Sequence, residues 1–303
     1  MLRRAATAVL LTLAFATQST ICLAFDLSPG RLYSSKGFAN SITGARAPAI
    51  TEYDSAGNYV DTLAVPPTYG SEVRGLTFGL DGAFYAVVLE RDYYHYSVVQ
   101  IDGNGVARVI YRALCNHVSV YLSGQIAAGS HGDLFVALGD SLFAFNAQSG
   151  TIKTIFKVYP QVGGVGTANL MSVVTLPSGN LLVADGYRIW EMTTAGVIVR
   201  RVAPNQSFEG IFGLAYDADT NRIFVSQYGY TNYQVMSLDG TNDVVLNHIA
   251  YSNAGTIALT SSKSLLVGGY QPAGVLDENL NLIGVLQGNV PQLFLAEMPP
   301  GRN

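Results

Sequence analysis

The sequence predicts an all-β protein, a six-bladed β-propeller whose ring is closed by pairing its N- and C-terminal strands in one blade. Three observations carry that prediction. Strand-favouring Tyr, Val, Thr, Phe and Ile are plentiful beside 32 glycines. No window of helical length keeps apolar residues at a sustained spacing of three and four. One pattern of strands and turns recurs along the chain, which marks a repeat architecture.

Each copy holds an apolar strand, a tight turn, a second apolar strand, a loop, a third strand ending near Asp or Asn, a Gly-containing turn and a fourth strand. The first copy runs through residues 75–78, the Asp81-Gly82 turn, 84–88, 98–102 and 106–111. Asp-Gly reads as a hairpin because glycine reaches the positive φ that a tight turn needs. The second follows the same order through 125–128, His131-Gly132, 134–137, 142–146, Ser149-Gly150 and 151–156. In the third, strands at 172–175, 181–184, 188–192 and 197–202 are punctuated by Ser178-Gly179 and Ala195-Gly196. The fourth places strands at 213–216, 223–225, 235–238 and 244–249, the fifth at 256–259, 265–268, 274–277 and 280–286. Starts at residues 75, 125, 172, 213 and 256 lie about 45 residues apart, the length of a four-stranded propeller blade.

The remaining pieces make a sixth blade. Residues 31–33, 50–54 and 59–65, with Ser55-Ala56-Gly57 as a turn, read as second, third and fourth strands that lack a first. Residues 290–298 are a strand without a blade. Joining them closes the ring, and closure protects the sheets from unpaired edges.

The N-terminus indicates export. Arg3 and Arg4 precede an uncharged apolar stretch at 5–16, and Cys22-Leu23-Ala24 offers a signal-peptidase site. Residues 1–24 are therefore expected to be a signal peptide and 25–303 a single propeller domain, secreted or periplasmic. The apolar stretch is shorter than the roughly 20 residues a bilayer needs, so no membrane span is expected. Ile21 stands where a lipidated cysteine would follow a small residue, which argues against lipid attachment at Cys22. Cys115 is then the only mature cysteine, excludes an internal disulfide framework and reads as a small buried hydrophobe. With 13% charged residues, a net charge of −4 and no Lys/Arg cluster, no nucleic-acid partner is expected.

Val-Val-Gln-Ile-Asp-Gly-Asn-Gly at 98–105 and Val-Ala-Asp-Gly-Tyr-Arg-Ile-Trp-Glu-Met-Thr-Thr-Ala-Gly at 183–196 resemble the NHL-repeat and gluconolactonase-like (senescence marker protein) group of six-bladed propellers. The resemblance covers the whole mature chain. Its motifs specify hairpins, so it bears on fold more than on chemistry.

First strands surround a propeller's central channel, so residues just before them ring one mouth. The position ten residues before each first hairpin turn holds Glu72, Leu122, Asn169, Gly210 with Glu209 beside it, and Asn253. Carboxylates and amides converging there would suit Ca2+ or another divalent cation. The gluconolactonase-like resemblance implies a metal held by Glu, Asn and Asp that polarises a lactone or ester carbonyl. On it Glu72 matches the Glu, Asn169 an Asn, and Glu209 stands where the family has Asp. Three departures stand against this. Val73-Arg74 follow Glu72 in place of Gly-Pro, Glu209 is displaced by one residue, and Asn253 has no counterpart. The plainer reading makes all four loop caps facing water.

Tyrosines give a second candidate. Tyr93, Tyr94 and Tyr96, and Tyr228, Tyr230 and Tyr233, fall in corresponding loops between second and third strands. Rigid rings with a hydroxyl make good contact surfaces, and aromatic residues also pack propeller blades. Other motifs carry less. Asp217-Ala218-Asp219-Thr220-Asn221 resembles half a calcium loop, but Arg222 occupies the glycine position and Tyr228 the bidentate Glu position, so it reads as a hairpin turn. Gly163-Gly164-Val165-Gly166 neither follows a strong strand nor opens a helix, and His95, His117, His131 and His248 lack metal-ligand spacing. Two functions follow. One is an extracytoplasmic binding or scaffold module for a protein, glycan or small-molecule ligand at the channel mouth. The other is a divalent-metal-dependent lactone or ester hydrolase, for which the sequence identifies no general base.

Overall fold

A computed structural model describes residues 30–36, 49–64, 72–90, 95–102, 107–114, 124–146, 149–157, 169–228, 233–251, 255–269, 272–287 and 292–297. These residues form six four-stranded antiparallel sheets with no helix, the six blades the repeat predicts. The first blade holds β4 (Glu72–Phe78), β5 (Phe84–Leu89), β6 (His95–Ile101) and β7 (Ala107–Leu114), and the second holds β8 (Gln125–Ala128), β9 (Asp133–Leu138), β10 (Ser141–Asn146) and β11 (Ile152–Lys157). The third is β12 (Ser172–Thr175), β13 (Leu181–Ala184), β14 (Ile189–Met192) and β15 (Ile198–Val202); the fourth is β16 (Ile211–Asp217), β17 (Arg222–Tyr228), β18 (Tyr233–Asp239) and β19 (Val245–Ala250). The fifth is β20 (Ile257–Leu259), β21 (Leu265–Val267), β22 (Gly274–Leu276) and β23 (Leu282–Val285).

The sixth blade joins both ends of the chain. Its sheet runs β24 (Gln292–Glu297), β1 (Leu32–Lys36), β2 (Ala49–Tyr53), β3 (Tyr59–Ala64). β24 takes the innermost place, antiparallel to β1 with Leu32 opposite Glu297 and Tyr33 opposite Ala296. Innermost strands touch in the order β24, β4, β8, β12, β16, β20 and back to β24, which closes the circle.

Burial follows from that geometry. Second strands are covered on both faces by neighbouring blades, so β5, β13 and β21 are buried along their whole length and read as unbroken apolar runs. Outer strands face water, and β23 is exposed throughout. The core lies between blades. Tyr33 and Ile50 of the closing blade pack with Phe78, Phe84 and Val99 of the first, the Phe78 and Phe84 rings standing 4.7 Å apart. Leu32 and Tyr53 pack with Leu266 and Leu286 of the fifth. Similar clusters fill each remaining seam.

Polar clamps span the seams. Arg200 of the third blade donates from Nε to Glu191 Oε2 at 2.8 Å and from its other nitrogens to Asp243 and the Gly240 carbonyl of the fourth. Lys263 of the fifth blade bonds Asp217 and Asp219 of the fourth at 2.6 Å each. The 217–221 segment is thus the hairpin turn the sequence suggests, with Thr220 Oγ1 donating to Asp217 Oδ2.

Within the first blade, Glu90 accepts hydrogen bonds from Arg112 Nε and Ser97 Oγ, both at 2.7 Å. The Arg112 hydrogen bond does most to hold the Glu90 carboxyl below its ordinary value, and it prevails over burial, which pushes the other way. A depressed carboxyl pKa stabilises the fold above the unfolded value of about 4.3 and loses that contribution as pH falls through the folded value. Glu90→Gln should therefore melt below the parent protein at pH 7, with the gap closing as pH falls below about 4. Melting curves from pH 7 to 3 check this; an equal gap at pH 3 would contradict it.

Candidate functional site

First strands all run from one mouth of the channel, here the start face, to the other, the hairpin face. At the start face the blades approach very closely. A Cβ on Gly75 of β4 would lie 2.2 Å from the Gly124 carbonyl oxygen just before β8, and one on Gly213 of β16 would lie 2.7 Å from the Ile257 backbone nitrogen of β20. Hydrogen bonds link the inner strands there: Ser172 Oγ donates to Gln125 Oε1 at 3.1 Å and accepts from the Leu214 backbone N–H at 3.0 Å. The inner strands of five blades line a channel cavity of about 340 Å³.

Three inner strands depart from regular pairing: β4 shifts register between Val73 and Gly75, β16 between Ile211 and Gly213, and β24 against β1 between Ser34 and Lys36. In β4 and β16 the extra residues are Arg74 and Phe212. A bulge leaves its extra residue without an opposite number and re-aims its side chain. Because they belong to the first and fourth of six blades, the two bulges stand on opposite sides of the ring.

Arg74 is buried and ion-paired with Glu72, two residues earlier on the same strand. Phe212 is half-buried and forms an aromatic trio with Tyr228, the last residue of β17, and Tyr233, the first of β18. Ring centroids lie 6.4 Å apart for Phe212–Tyr228, 6.3 Å for Phe212–Tyr233 and 4.8 Å for Tyr228–Tyr233. Tyr228 is 47% exposed. Glu209 lies beside the trio. Its backbone N–H donates to Gln227 Oε1 at 3.1 Å, and the Gly210 carbonyl accepts from the Tyr228 N–H at 2.9 Å. On the other flank the Ile211 N–H bonds the Gly186 carbonyl, next to Tyr187, which is 53% exposed.

The candidates chosen from sequence therefore separate. Glu72 begins β4, while Asn169 and Glu209 closely precede β12 and β16, so all three belong to the start face. Asn253 lies outside the described residues, as do Tyr93, Tyr94, Tyr230, Cys115, His117, the 163–166 glycine run and residues 1–24, expected from the sequence to be a signal peptide. Tyr96 is 1% exposed and packs with Tyr85, Val98 and Leu138 between the first two blades, so it presents no ring to solvent. Among the described residues no group of three or more His, Cys, Asp or Glu stands together. Glu72 already faces the Arg74 guanidinium, so a cation held there would have to displace a fixed positive charge. The donors described do not by themselves make a cation cage. Among the described residues no helix is long and apolar enough to cross a membrane.

Sequence reasoning passed over Arg74, Phe212 and Tyr187. The signal for Phe212 was an aromatic residue ahead of the 213–216 apolar run, and for Tyr187 its place in Asp185-Gly186-Tyr187-Arg188, a tight hairpin between β13 and β14 whose backbone N–H groups Asp185 caps.

Comparison with known proteins adds the fold. No protein-family model and no curated protein matches the chain. Solved structures do. TolB from Acinetobacter baumannii is 12% identical with a TM-score of 0.66, over 90% of this chain and 67% of that one. A chain of a nidogen/laminin complex is 15% identical with a TM-score of 0.63, over 88% of this chain and 96% of that one. A gluconolactonase from Xanthomonas campestris is 11% identical with a TM-score of 0.60, over 86% and 87%. At these identities the likeness is one of architecture: the chain shares the β-propeller fold of these proteins.

Proposed function

We propose that this chain is an exported propeller that binds a partner, a glycan in the first instance, on its start face. The observation that carries the reading is the Phe212–Tyr228–Tyr233 trio, with Tyr228 nearly half exposed at the end of a rigid blade. Sugar rings stack on such faces, and their hydroxyls pair with carboxylates of the kind that Glu209 supplies beside the trio. Strands of a closed ring hold these groups with little conformational freedom to lose on binding. Export is supported by the Arg3-Arg4 start and the apolar 5–16 stretch. Glycan-array binding by the parent protein should fall at least tenfold in a Tyr228→Ala variant that still melts cooperatively. Equal signals from parent and variant, or no glycan bound by the parent, would overturn the glycan reading.

A second reading, a divalent-metal-dependent lactone or ester hydrolase, draws support from the common start-face position of Glu72, Asn169 and Glu209 and from the fold shared with a gluconolactonase. It requires that calcium raise the melting temperature and that Glu72→Ala or Asn169→Ala abolish the rise. A melting point indifferent to calcium and to chelator removes it.

A further inference from the structure

A separate concavity of about 370 Å³ opens at the hairpin face, between the second and third blades. It meets the channel at Ala128, Thr175 and Tyr216, on the side of the ring away from the start face. Its volume lies within the roughly 300–1,000 Å³ of small-molecule sites. Phe135 forms part of its wall and is itself buried, while Leu176 and Pro177 enter from the β12–β13 hairpin and Leu80 from the β4–β5 hairpin. The seam beneath is fixed, because Thr175 Oγ1 donates to the Ala128 carbonyl at 2.8 Å across the two blades.

Among the described residues one carboxylate lines this pocket, that of Asp133 at the start of β9. Its Oδ1 accepts from Asn146 Nδ2 at 3.1 Å, which fixes the group's orientation. Its Oδ2 has no hydrogen-bond partner among the described residues. His131, on the same hairpin, is tied to Ser130 Oγ through Nδ1 at 3.0 Å and is exposed at the rim. The wall thus combines apolar surface with a single oriented anionic acceptor, and a partly buried carboxylate recovers lost hydration when a cationic donor meets it.

We propose that the hairpin-face pocket binds a small organic cation, with an ammonium or amidinium head on Asp133 Oδ2 and an apolar body against Phe135, Leu176 and Pro177. The site is independent of the start face, so neither reading depends on the other. Calorimetric titration of benzamidine, with benzamide and benzoate as neutral and anionic controls, tests it. Benzamidine should bind saturably, at least tenfold more tightly than either control, and Asp133→Asn should remove that preference. Because Asp133→Asn also alters the bond to Asn146, Leu176→Arg provides a second variant: it fills the pocket and leaves the carboxylate in place, and it should abolish binding. No binding by the parent, equal binding of benzoate, or unchanged benzamidine affinity in either variant would overturn the proposal.

Discussion

Deleting residues 289–303, and with them β24, is expected to abolish the cooperative fold. β24 is the innermost strand of the closing blade, pairs with β1 from Leu32 to Lys36, and lies against both β4 and β20. Its removal would turn β1 into an unpaired edge beside the channel and separate the first and fifth blades at the axis. The two clusters that seal the closing blade, around Tyr33 with Phe78 and around Tyr53 with Leu266, would then hang on one side only. A domain has only about 5–15 kcal/mol of net stability, and the loss of two seams is of that order. Differential scanning calorimetry of the truncated chain should show no single sharp transition, and a synthetic 289–303 peptide added in trans should restore part of it. A truncated chain melting cooperatively within about 3 °C of the parent would show that β24 does not hold the ring.

Closure was legible in the sequence for the reason that makes it strong. An incomplete blade at one end and an orphan strand at the other are each unstable alone, and only their union satisfies both. Boundaries were sharpest where buried apolar runs meet glycine turns. Strands read at 125–128, 172–175 and 181–184 match β8, β12 and β13 residue for residue. In the fourth blade the apolar runs at 213–216 and 223–225 understate β16 and β17, because the pairing continues past the core through Asp217–Arg222 and Gln227–Gln234. In the fifth blade the 280–286 reading overstates β23: Leu280 adopts a φ of 67° in the turn and Leu286 is buried beyond the strand.

The candidate site was less legible, and the causes are physical. Arg74 and Phe212 owe their positions to bulges, two residues set against one on a partner strand, which no linear pattern displays. Tyr96 and Tyr228 look alike in sequence, yet one lies in register with Leu89 inside a seam while the other ends a hairpin at the rim. Asp133 was invisible as a site residue because its significance comes from the third blade's hairpin, about forty residues away along the chain and adjacent across a seam.

That dependence on seams makes the inner ring the most sensitive part of the molecule, and Gly75→Ala is the substitution expected to reveal it. A methyl group there would stand 2.2 Å from the Gly124 carbonyl oxygen and 3.1 Å from the Gln125 Cα. Both obstacles are backbone, so no side chain can swing aside, and Gly124 is itself committed through its N–H to the Ala137 carbonyl at 2.9 Å. In an open stack the blades could move apart. In a closed ring each blade is held by two neighbours, and a shift at one seam compresses the others. Overpacking of a tight core costs about 1–3 kcal/mol where some relaxation is possible, so about 3 kcal/mol is expected here, or about 6–12 °C in melting temperature. Gly82→Ala is the matched control. Gly82 sits in the β4–β5 hairpin with φ +75° and open space around its Cβ position, so it bears the left-handed penalty of about 1–2 kcal/mol without a clash. The inner-ring variant should therefore be the less stable of the two. If Gly75→Ala melted at or above Gly82→Ala, close approach of β4 to the second blade could not be what sets the ring's tolerance, and local turn geometry would govern stability instead.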